Sequence, residues 1–300
     1  MTLNLNLENN IWFCPLCKSK SYSLFEISHN RGVELHYQIC HTCGLVFLSP
    51  RMTTDELAKY YNIHYRENDI IGDNPETWVI EKEKNRAEYQ LQFFSKWNLT
   101  ITNFLDIGAS TGQLLSLIQE QYSCDVVGIE PGDIFRKVAS KKFNIFPSIE
   151  ELINSKNYMF DFISLSHVLE HLPDPVSFLV KIRKNLLHSH GKLYIEVPNL
   201  YGHSSFEPAH LYAFSKNTLS LICKKAGFSI KKIEIHNKPN NYGKKNISIL
   251  IFPKEKNFFR FNFIIPQLEK EKRIAGISGS RNVMTHMFRK FYKRIRNNDK

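Results

Sequence analysis

Short apolar runs alternate with amphipathic segments from about residue 102 onward. Apolar runs of about four to seven residues between turn residues predict strands, and apolar positions spaced three and four apart predict helices. The predicted strands lie at 102–107, 125–130, 143–146, 160–166 and 192–197. The predicted helices lie at 112–121, 133–142, 149–155 and 175–187. This alternation predicts an α/β fold with a doubly wound parallel sheet, which binds its ligand at the carboxyl ends of the strands.

The pattern changes on both sides of this region. A predicted helix at 216–226 leads into two apolar stretches, FSIKKIEIH and KNISILIF, which NKPNNYG connects. That connection is too short for a helical crossover, so the last two strands should be antiparallel. Before the sheet, TTDELAKYY predicts a helix with Thr53 or Thr54 as its N-cap, and residues 76–97 predict a second helix. Further upstream, SYSLFEISHNRGVELHYQI predicts a β-hairpin.

Four of the six cysteines form two Cys-x-x-Cys pairs, one on each side of this hairpin. The pairs are Cys14 with Cys17 and Cys40 with Cys43, and 22 residues separate them. Two such turns supply the four thiolates of a tetrahedral Zn²⁺ site, as in a zinc ribbon. A redox pair or disulfides are the alternative, but the sequence shows no export signal, which favours metal. Four cysteine ligands leave no open coordination position, so the predicted Zn²⁺ is structural.

A turn with two glycines joins the first predicted strand of the sheet to its helix, in FLDIGASTGQLL. A P-loop would need Gly-Lys-Ser/Thr, whereas Gln113 follows Gly112, and the spacing also differs from the dinucleotide pattern GxGxxG. Asp106 disfavours a pyrophosphate but is compatible with a cationic group. Glu130, at the end of the next strand, can accept hydrogen bonds from both ribose hydroxyls. S-Adenosylmethionine combines a cationic group with a ribose and fits this turn best.

Four blocks then carry a family resemblance: LDIGASTGQLL, GIEPG, FDFISLSHVLEHLPDP and GKLYIEVPN. In order and spacing they resemble class I S-adenosylmethionine-dependent methyltransferases over about residues 100–250. The run CHTCGLVFLSPRMTTDELAKYYNIHY further resembles the branch that carries a zinc ribbon and a helical cap, often encoded with enzymes that build and decorate sugars. Ser110 departs from the family, which more often has glycine there.

The resemblance implies a set of cofactor contacts. Those at the methionine end are Asp106, Gly108, Ala109 and Gly112, with Glu130 at the ribose. Ser166 and His167 flank the methionine side at the tip of the fourth strand. Tyr65 or Tyr61 of the helical cap reaches towards the methionine carboxylate.

Candidate proton acceptors follow the fourth and fifth predicted strands. They are His167, Glu170, His171, His203, Glu207, His210 and Tyr212. The segment EPAHLYAFS resembles the acceptor region of the sugar-modifying branch, in which His210 matches a histidine of the acceptor pocket. Ala209 stands where a glutamate precedes that histidine in sugar C-methyltransferases. We therefore expect O- or N-methylation with His210 as the base, and His167 and Glu207 as further catalytic candidates.

The segment HVLEH admits two interpretations. In some methyltransferases a Glu-x-x-Glu-His pattern at this position binds a divalent metal, and here His167 replaces the first glutamate. Alternatively, Glu170 and His171 cap and pin a helical turn, as in metal-free relatives. We favour the second interpretation.

The net charge of +11 is concentrated near the end of the sequence. Residues 254–300 contain 13 basic and 4 acidic residues, and the other 253 contain 27 and 25. We expect a zinc ribbon at 1–50, a helical cap or linker at 51–98, the methyltransferase domain at 99–253 and a basic aromatic extension at 254–300. The last 20 residues predict a basic amphipathic helix, which suits an anionic membrane surface, a partner or packing on the domain. Without a predicted signal or spanning segment, we expect a cytoplasmic protein whose extension is a candidate for contact with the inner face of the membrane.

The expected function is methylation of a sugar, either nucleotide-linked, lipid-linked or part of a surface glycan. Alternatives are an RNA methyltransferase that uses the ribbon and the basic extension, a quinone or small-molecule O-methyltransferase, and a cofactor-binding scaffold without turnover. Confinement of the charge to the extension argues against nucleic acid. The sequence leaves the oligomeric state open.

Overall fold

The computed structural model describes residues 5–7, 9–64, 67–97, 99–202, 206–237 and 246–254. The predictions for Tyr65, His203 and the extension beyond residue 254 therefore lie outside the described residues. Within the described ranges, no helix is both long and apolar enough to cross a membrane.

The segment before the central sheet forms a small antiparallel sheet and two helices. The predicted hairpin is present as β1 (Tyr22–Asn30) and β2 (Val33–Cys40), with β3 (Val46–Leu48) paired to β2. Helix α1 (Thr54–Ile63) begins after Thr53, whose side chain accepts from Glu56 N while the Glu56 carboxylate accepts from Thr53 N. This reciprocal capping box decides between the two predicted N-caps in favour of Thr53. The short strands β4 (Ile70–Ile71) and β5 (Asn74–Pro75) precede α2 (Thr77–Ser95).

The strands that follow are β6 (Asn103–Ile107), β7 (Asp125–Ile129), β8 (Asn144–Phe146), β9 (Phe160–Ser166), β10 (Leu187–Pro198), β11 (Tyr212–Ala213), β12 (Phe228–His236) and β13 (Asn246–Pro253). The helices between them are α3 (Gln113–Tyr122), α4 (Asp133–Ala139), α5 (Ile149–Asn154), α6 (Pro175–Asn185) and α7 (Lys216–Lys225). Strand β10 begins at Leu187, five residues before its predicted start. Leu187 pairs with Phe160 of β9, and the register of the two strands shifts between Leu187 and Lys192. The predicted end of helix α6 is accordingly two residues too late.

The central sheet has seven strands in the order β12-β13-β10-β9-β6-β7-β8. Strands β6 to β10 are parallel to one another, and β13 is antiparallel to both β10 and β12. The structure confirms the predicted fold, a doubly wound Rossmann-like methyltransferase sheet with an antiparallel last strand. A small antiparallel sheet precedes it in the chain. The central strands are nearly continuously apolar because helices cover both faces of the sheet.

The strand order reverses between β6 and β9. The chain runs outward from β6 through β7 to β8, then crosses to β9 on the other side of β6. A crevice for ligands opens at the carboxyl ends of the strands at such a switch point. Asp106 near the end of β6 and Ser166 at the end of β9 therefore border one crevice.

Strand β11 joins the small N-terminal sheet, which then has the order β1-β2-β3-β11. Its residues Tyr212 and Ala213 pair with Phe47 and Val46. The sequence analysis did not predict this pairing, because two residues carry no recognisable strand pattern. Through it, the segment that follows β10 is fastened to the cysteine-bearing sheet.

Candidate functional site

The glycine turn after β6 is shaped by left-handed backbone conformations. Gly108 and Gly112 each have φ of +82°, and Ser110 has φ of +50°. A Cβ atom on Gly108 would lie 2.7 Å from Cγ2 of Val168, in the turn after β9. The turn therefore needs glycine at 108 both for its backbone angle and for its close contact with the neighbouring turn.

Glu130 holds this turn from the end of β7. Its two carboxylate oxygens accept hydrogen bonds from Ser110 N and Gly132 N, both at 2.8 Å. The side chain is buried, at 6% exposure. An ionised carboxylate accepts about four hydrogen bonds, so these two contacts are compatible with ribose hydroxyls at the same group. The residues at this turn therefore fit the ribose of S-adenosylmethionine.

Glu83 on α2 is a further contact of the turn that the sequence analysis missed. Its carboxylate accepts from the hydroxyl of Thr111 at 2.6 Å and from the hydroxyl of Ser110. The departure from glycine at 110 thus supplies a side chain that ties the turn to α2. No motif marks Glu83, because it lies on an ordinary amphipathic helix and meets the turn only in the folded chain.

Asp106 is the buried acid beside this turn. Burial raises the pKa of its carboxyl to about 7, although a hydrogen bond from Ser164 Oγ at 2.5 Å acts in the opposite direction. The negative charges of Glu130 and Glu83 raise it further. A cationic group placed here would restore the ionised form. This environment fits the ammonium or sulfonium charge of S-adenosylmethionine.

Histidines and carboxylates gather on the other side of the crevice, where the turns after β9 and β10 meet. Around Oε1 of Glu170 lie His167 Nδ1 at 3.5 Å, His171 Nε2 at 4.0 Å and His210 Nε2 at 4.0 Å. Glu207 Oε1 lies 2.6 Å from His210 Nε2. We call these five residues the acceptor cluster. The structure thus brings together the three predicted catalytic residues, His167, Glu207 and His210.

The predicted capping role of Glu170 is wrong. Residues Leu169–His171 form a single 3-10 turn, and Glu170 is 1% exposed. Neither of its carboxylate oxygens accepts a hydrogen bond from any described residue. His171 does pin the segment, because its Nδ1 donates to the carbonyl oxygen of Ala209 at 3.0 Å.

The charges in the acceptor cluster are set by competition between burial and pairing. Burial favours the neutral form of Glu170, but His167, His171 and His210 together lower its pKa to about 2. Burial likewise disfavours the charged form of His167, yet Glu170 and Glu196 outweigh it and raise the pKa of that ring. Burial lowers the pKa of His171 to about 4, which leaves its ring neutral at pH 7. Burial raises the pKa of Glu207, but its contact with His210 outweighs this and the net shift is downward.

Glu196 in β10 supports His167 from behind. It is fully buried and lies 3.2 Å from His167 Nε2, while the hydroxyls of Tyr194 and Ser248 donate to it at 2.8 and 3.2 Å. His167 is thereby held between two buried carboxylates. Glu196 is a second residue that sequence analysis missed, since an acid within an apolar strand shows no partner until the strands are assembled.

The segment that carries Glu207 and His210 is held by the small N-terminal sheet. Tyr37 of β2 directs its hydroxyl at the carbonyl oxygens of His210 and Glu207, at 2.6 and 3.1 Å. From α1, the ring of Tyr61 packs edge-on against His171 at 5.7 Å between centroids. The small sheet and α1 therefore form one wall of the acceptor cluster.

The four paired cysteines converge in the small sheet. All are free thiols whose sulfur atoms lie within 4.8 Å of one another. Cys14 Sγ is 3.5 Å from Cys43 Sγ, and Cys17 Sγ is 3.5 Å from Cys40 Sγ. Sulfurs bonded to one tetrahedral Zn²⁺ at about 2.3 Å lie about 3.8 Å apart. This donor set therefore fits a structural Zn²⁺.

The chain is similar to known methyltransferases in sequence and in fold. A family model described as a methyltransferase domain matches residues 79–233. A solved S-adenosylmethionine-dependent methyltransferase from Archaeoglobus fulgidus is 21% identical, over 59% of this chain and 99% of that chain, with a TM-score of 0.48. A magnesium protoporphyrin IX methyltransferase from Synechocystis, solved with bound S-adenosylmethionine, is 14% identical over 66% of this chain and 95% of that chain, with a TM-score of 0.47. No curated protein matches the chain. The family match runs from α2 to β12 and includes the glycine turn and the acceptor cluster.

Proposed function

Because the chain belongs to the methyltransferase domain family, we propose that it transfers a methyl group from S-adenosylmethionine to a hydroxyl group of a sugar. When bound, S-adenosylmethionine supplies the electrophilic methyl group. The glycine turn, Asp106 and Glu130 are the residues that would hold it, on the grounds of their fit to its cationic and ribose groups. Membership of a family of enzymes disfavours the scaffold alternative.

The observation that carries the acceptor side of the proposal is the contact between Glu207 and His210. Transfer of a methyl group to a hydroxyl requires alignment and removal of one proton. The two side chains lie 2.6 Å apart, and Glu207 is the more exposed of the pair, at 36% against 14%. Together they form a pair that can take the acceptor proton from the crevice. Ala209 directly precedes His210 and has no carboxylate, so the glutamate that precedes this histidine in sugar C-methyltransferases is missing here. This disfavours abstraction of a proton from carbon.

The chemistry of the crevice favours a hydroxylated acceptor. The acceptor cluster contains five ionisable side chains, and those of His167, Glu170 and His171 have pKa values shifted by one another and by burial. Glu207 and His210 are the members that the solvent reaches, at 36% and 14% side-chain exposure. A sugar can replace the hydrogen bonds of water to these two groups, whereas an apolar quinone ring would leave them without partners. The resemblance of the ribbon and of EPAHLYAFS to the sugar-modifying branch supports the same choice.

We further propose that Cys14, Cys17, Cys40 and Cys43 bind one structural Zn²⁺. The support is their common donor type and their spacing, which fits a tetrahedral site. Zn²⁺ there would stabilise the hairpin that bears Tyr37, and with it the backbone of His210.

The cofactor half of the proposal is tested by calorimetric titration of the zinc-loaded protein with S-adenosylhomocysteine. We expect Glu130→Ala to weaken binding by about tenfold or more, because it removes charge-assisted hydrogen bonds. Glu120→Ala, an exposed acid on α3, is the matched control and should bind like the wild type. Equal binding by the wild type and Glu130→Ala would contradict the assigned ribose contact.

The acceptor half is tested by methylation assays with S-adenosylmethionine and a panel of nucleotide sugars, simple catechols and single-stranded RNA. We expect methylated sugar, lost in Glu207→Gln and His210→Asn while both variants still bind S-adenosylhomocysteine. Methylation of RNA or catechol alone would overturn the sugar assignment and leave the methyltransferase assignment intact.

A further inference from the structure

A cavity of about 310 Å³ lies between the first Cys-x-x-Cys turn and the start of helix α6. Its walls come chiefly from residues 10–18 and 173–176, together with Arg51 and Tyr212. Among the described residues, no member of the acceptor cluster or of the glycine turn lines it. Its volume falls at the lower end of the range of small-molecule sites in proteins. The cavity is therefore separate from the crevice and large enough for a ligand.

Arg51 is a buried cation in the wall of this cavity, at 9% exposure. Its guanidinium donates to the hydroxyl of Tyr212 at 3.3 Å and lies 5.9 Å from the centre of that ring. Within the described chain, this hydroxyl is the only side-chain acceptor of a group that has five N–H donors. A buried charge without an opposite charge is costly. The remaining donors of Arg51 are therefore available to an anion in the cavity.

Lys18 adds a second cation at the rim of the cavity. It follows the second cysteine of its Cys-x-x-Cys turn, as Gly44 follows the second cysteine of the other turn. The two turns share one backbone conformation, because φ is +63° at Lys18 and +75° at Gly44 and each N–H donates to the carbonyl oxygen of the first cysteine at 2.9 Å. Glycine suits this conformation better than lysine. The chain thus places a lysine beside the cavity where its other turn has the residue that the backbone favours.

Asp174 is the only acid among the described residues of the wall, and its carboxylate is already engaged. Its Oδ1 accepts from Ser177 N at 3.0 Å and its Oδ2 from the Ser177 hydroxyl at 2.8 Å, which caps helix α6. Two cations therefore face the cavity against one acid that is hydrogen-bonded to the helix. This balance favours an anionic ligand, and the planar guanidinium of Arg51 fits the paired oxygens of a phosphate group.

The rest of the wall is largely apolar and includes two exposed aromatic rings. Trp12 is 70% exposed and Phe13 is 47% exposed, and Nζ of Lys20 lies 5.2 Å from the centre of the Phe13 ring. Large exposed rings beside a cavity are removed from water when a planar or apolar group packs on them. The other apolar lining residues include Ile11, Leu16, Leu45, Pro175 and Ile222. The wall therefore suits a ligand in which phosphate is joined to a planar or apolar body.

Two short stretches of chain connect the cavity to the acceptor cluster. Tyr212, which accepts from Arg51, donates to the carbonyl oxygen of Pro173 at 2.8 Å. Tyr212 is two positions from His210, and Pro173 is two positions from His171. Two residues span at most about 7 Å of chain. A phosphate group held at Arg51 is therefore within the length of one sugar diphosphate of the cluster.

We propose that this cavity binds the diphosphate group of a sugar acceptor, with Arg51 and Lys18 at the phosphate oxygens and Trp12 against the body attached to them. Nucleoside diphosphates and prenyl diphosphates share this chemistry. The exposed ring of Trp12 favours the nucleoside, because a base stacks on such a ring. The assignment of the cavity to the acceptor rests on the proposed function, whereas binding of diphosphate esters depends only on the cavity.

The test is calorimetric titration of the full-length, zinc-loaded protein, with and without saturating S-adenosylhomocysteine, which fills the cofactor crevice. The probes are uridine diphosphate, geranyl diphosphate and inorganic diphosphate. We expect one uridine diphosphate per chain, bound more tightly than inorganic diphosphate. Arg51→Gln should weaken both by about tenfold to a hundredfold, since it removes charge-assisted hydrogen bonds. Trp12→Ala should weaken uridine diphosphate by about tenfold and leave inorganic diphosphate unchanged.

Lys18→Gly separates ligand binding from folding, because it gives the turn the residue that its backbone favours. It should keep its Zn²⁺ and its melting temperature while binding uridine diphosphate about threefold more weakly at low salt. Lys156→Gly is the matched control, since Lys156 also has positive φ, of +56°, but does not line the cavity. This variant should bind uridine diphosphate like the wild type.

Absence of binding by both esters, or equal binding by the wild type, Arg51→Gln and Lys18→Gly, would overturn the site. Loss of Zn²⁺ from Arg51→Gln would also overturn it, because the guanidinium would then serve the cysteine thiolates. Tighter binding of geranyl diphosphate than of uridine diphosphate would keep the site and identify a lipid-linked acceptor. Methylation of a nucleotide sugar without diphosphate binding would remove this inference and keep the proposed function, and diphosphate binding without methylation of any sugar would do the reverse.

Discussion

The hydroxyl of Tyr37 donates to the carbonyl oxygen of His210 at 2.6 Å, although 173 positions separate the two residues in the chain. The contact joins the cysteine-bearing sheet to the acceptor cluster. The ring of Tyr37 is fully buried and stacks on Phe206, at 4.1 Å between centroids. The small sheet is thus part of the wall of the site as well as a neighbour of the methyltransferase domain.

We expect Tyr37→Phe to reduce methylation while leaving the cofactor site intact. The change keeps the ring but deprives the carbonyl oxygens of His210 and Glu207 of their donor, at a cost of about 1 to 3 kcal/mol in the free energy of unfolding. Displacement of His210 by a fraction of an ångström should lower kcat by about tenfold to a hundredfold. Tyr22→Phe, whose ring packs on Phe47 in the same sheet, is the control. Equal kcat for both variants and the wild type would contradict this role.

Removal of the predicted Zn²⁺ should act at the same place. Cys40→Ser leaves three thiolates, so we expect loss of the ion, a lower melting temperature of the small sheet and loss of methylation with S-adenosylhomocysteine binding retained. Metal analysis should find one Zn²⁺ per wild-type chain. Cys124→Ser, which changes a buried thiol outside the cluster, should keep its Zn²⁺. A wild-type protein purified without Zn²⁺ and with a stable small sheet would contradict the prediction.

Gly108→Ala should destabilise the folded chain for a steric reason that can be separated from backbone strain. A non-glycine residue at positive φ costs about 1 to 2 kcal/mol, and the 2.7 Å contact with Val168 adds about 1 to 3 kcal/mol of overpacking. Gly72 also has positive φ, of +57°, but no heavy atom lies within 4 Å of a Cβ placed there. Gly72→Ala therefore measures the backbone cost alone.

The double variant Gly108→Ala with Val168→Ala completes this comparison. Removal of the Val168 methyl groups should restore part of the stability lost in Gly108→Ala, measured by denaturant unfolding. If Gly108→Ala and Gly72→Ala lose equal stability, close packing between the two turns does not explain the glycine.

Binding of S-adenosylhomocysteine should depend on pH through Asp106. Burial raises the pKa of this carboxyl to about 7, and the ammonium group of the ligand favours its ionised form. Binding should therefore release a proton near pH 6 to 7, and affinity should fall as pH drops below about 7. Calorimetry in buffers of different ionisation enthalpy measures the released proton. Asp106→Asn should bind more weakly and without this proton release.

The same group has the opposite effect on the unliganded protein. Its pKa in the folded chain is above its ordinary value of 3.8, so the folded chain binds more protons than the unfolded chain between about pH 4 and pH 7. Stability contributed by protonated Asp106 is therefore present at low pH and is lost as pH rises through about 7. Comparison of unfolding free energies of wild type and Asp106→Asn across this range measures the effect, and parallel curves would contradict it.

Much of the fold follows from local pattern. The apolar runs at β6, β7 and β9 and the periodic helices between them predict their order and type, since strands buried on both faces must be continuously apolar. The register of β10 was less predictable: its first residues, from Leu187, carry histidines and a serine, and only pairing with Phe160 makes them a strand. The two-residue strand β11 exists only because β3 provides an edge for it.

The residues of the candidate site also fall into two groups, those that local sequence pattern identifies and those that tertiary contacts bring together. Residues that make their contacts within one turn can be identified from the amino-acid pattern: the glycines with positive φ, Glu130 at the end of its strand and the two Cys-x-x-Cys pairs. Which distant side chains meet these residues follows from the folded chain alone. Glu83 reaches the glycine turn, Tyr37 reaches His210, and Glu170 lies among three histidines because strand order and helix packing place these segments together. Short stretches of sequence determine local backbone conformation, whereas contacts across the sheet depend on how the whole chain buries its apolar surface.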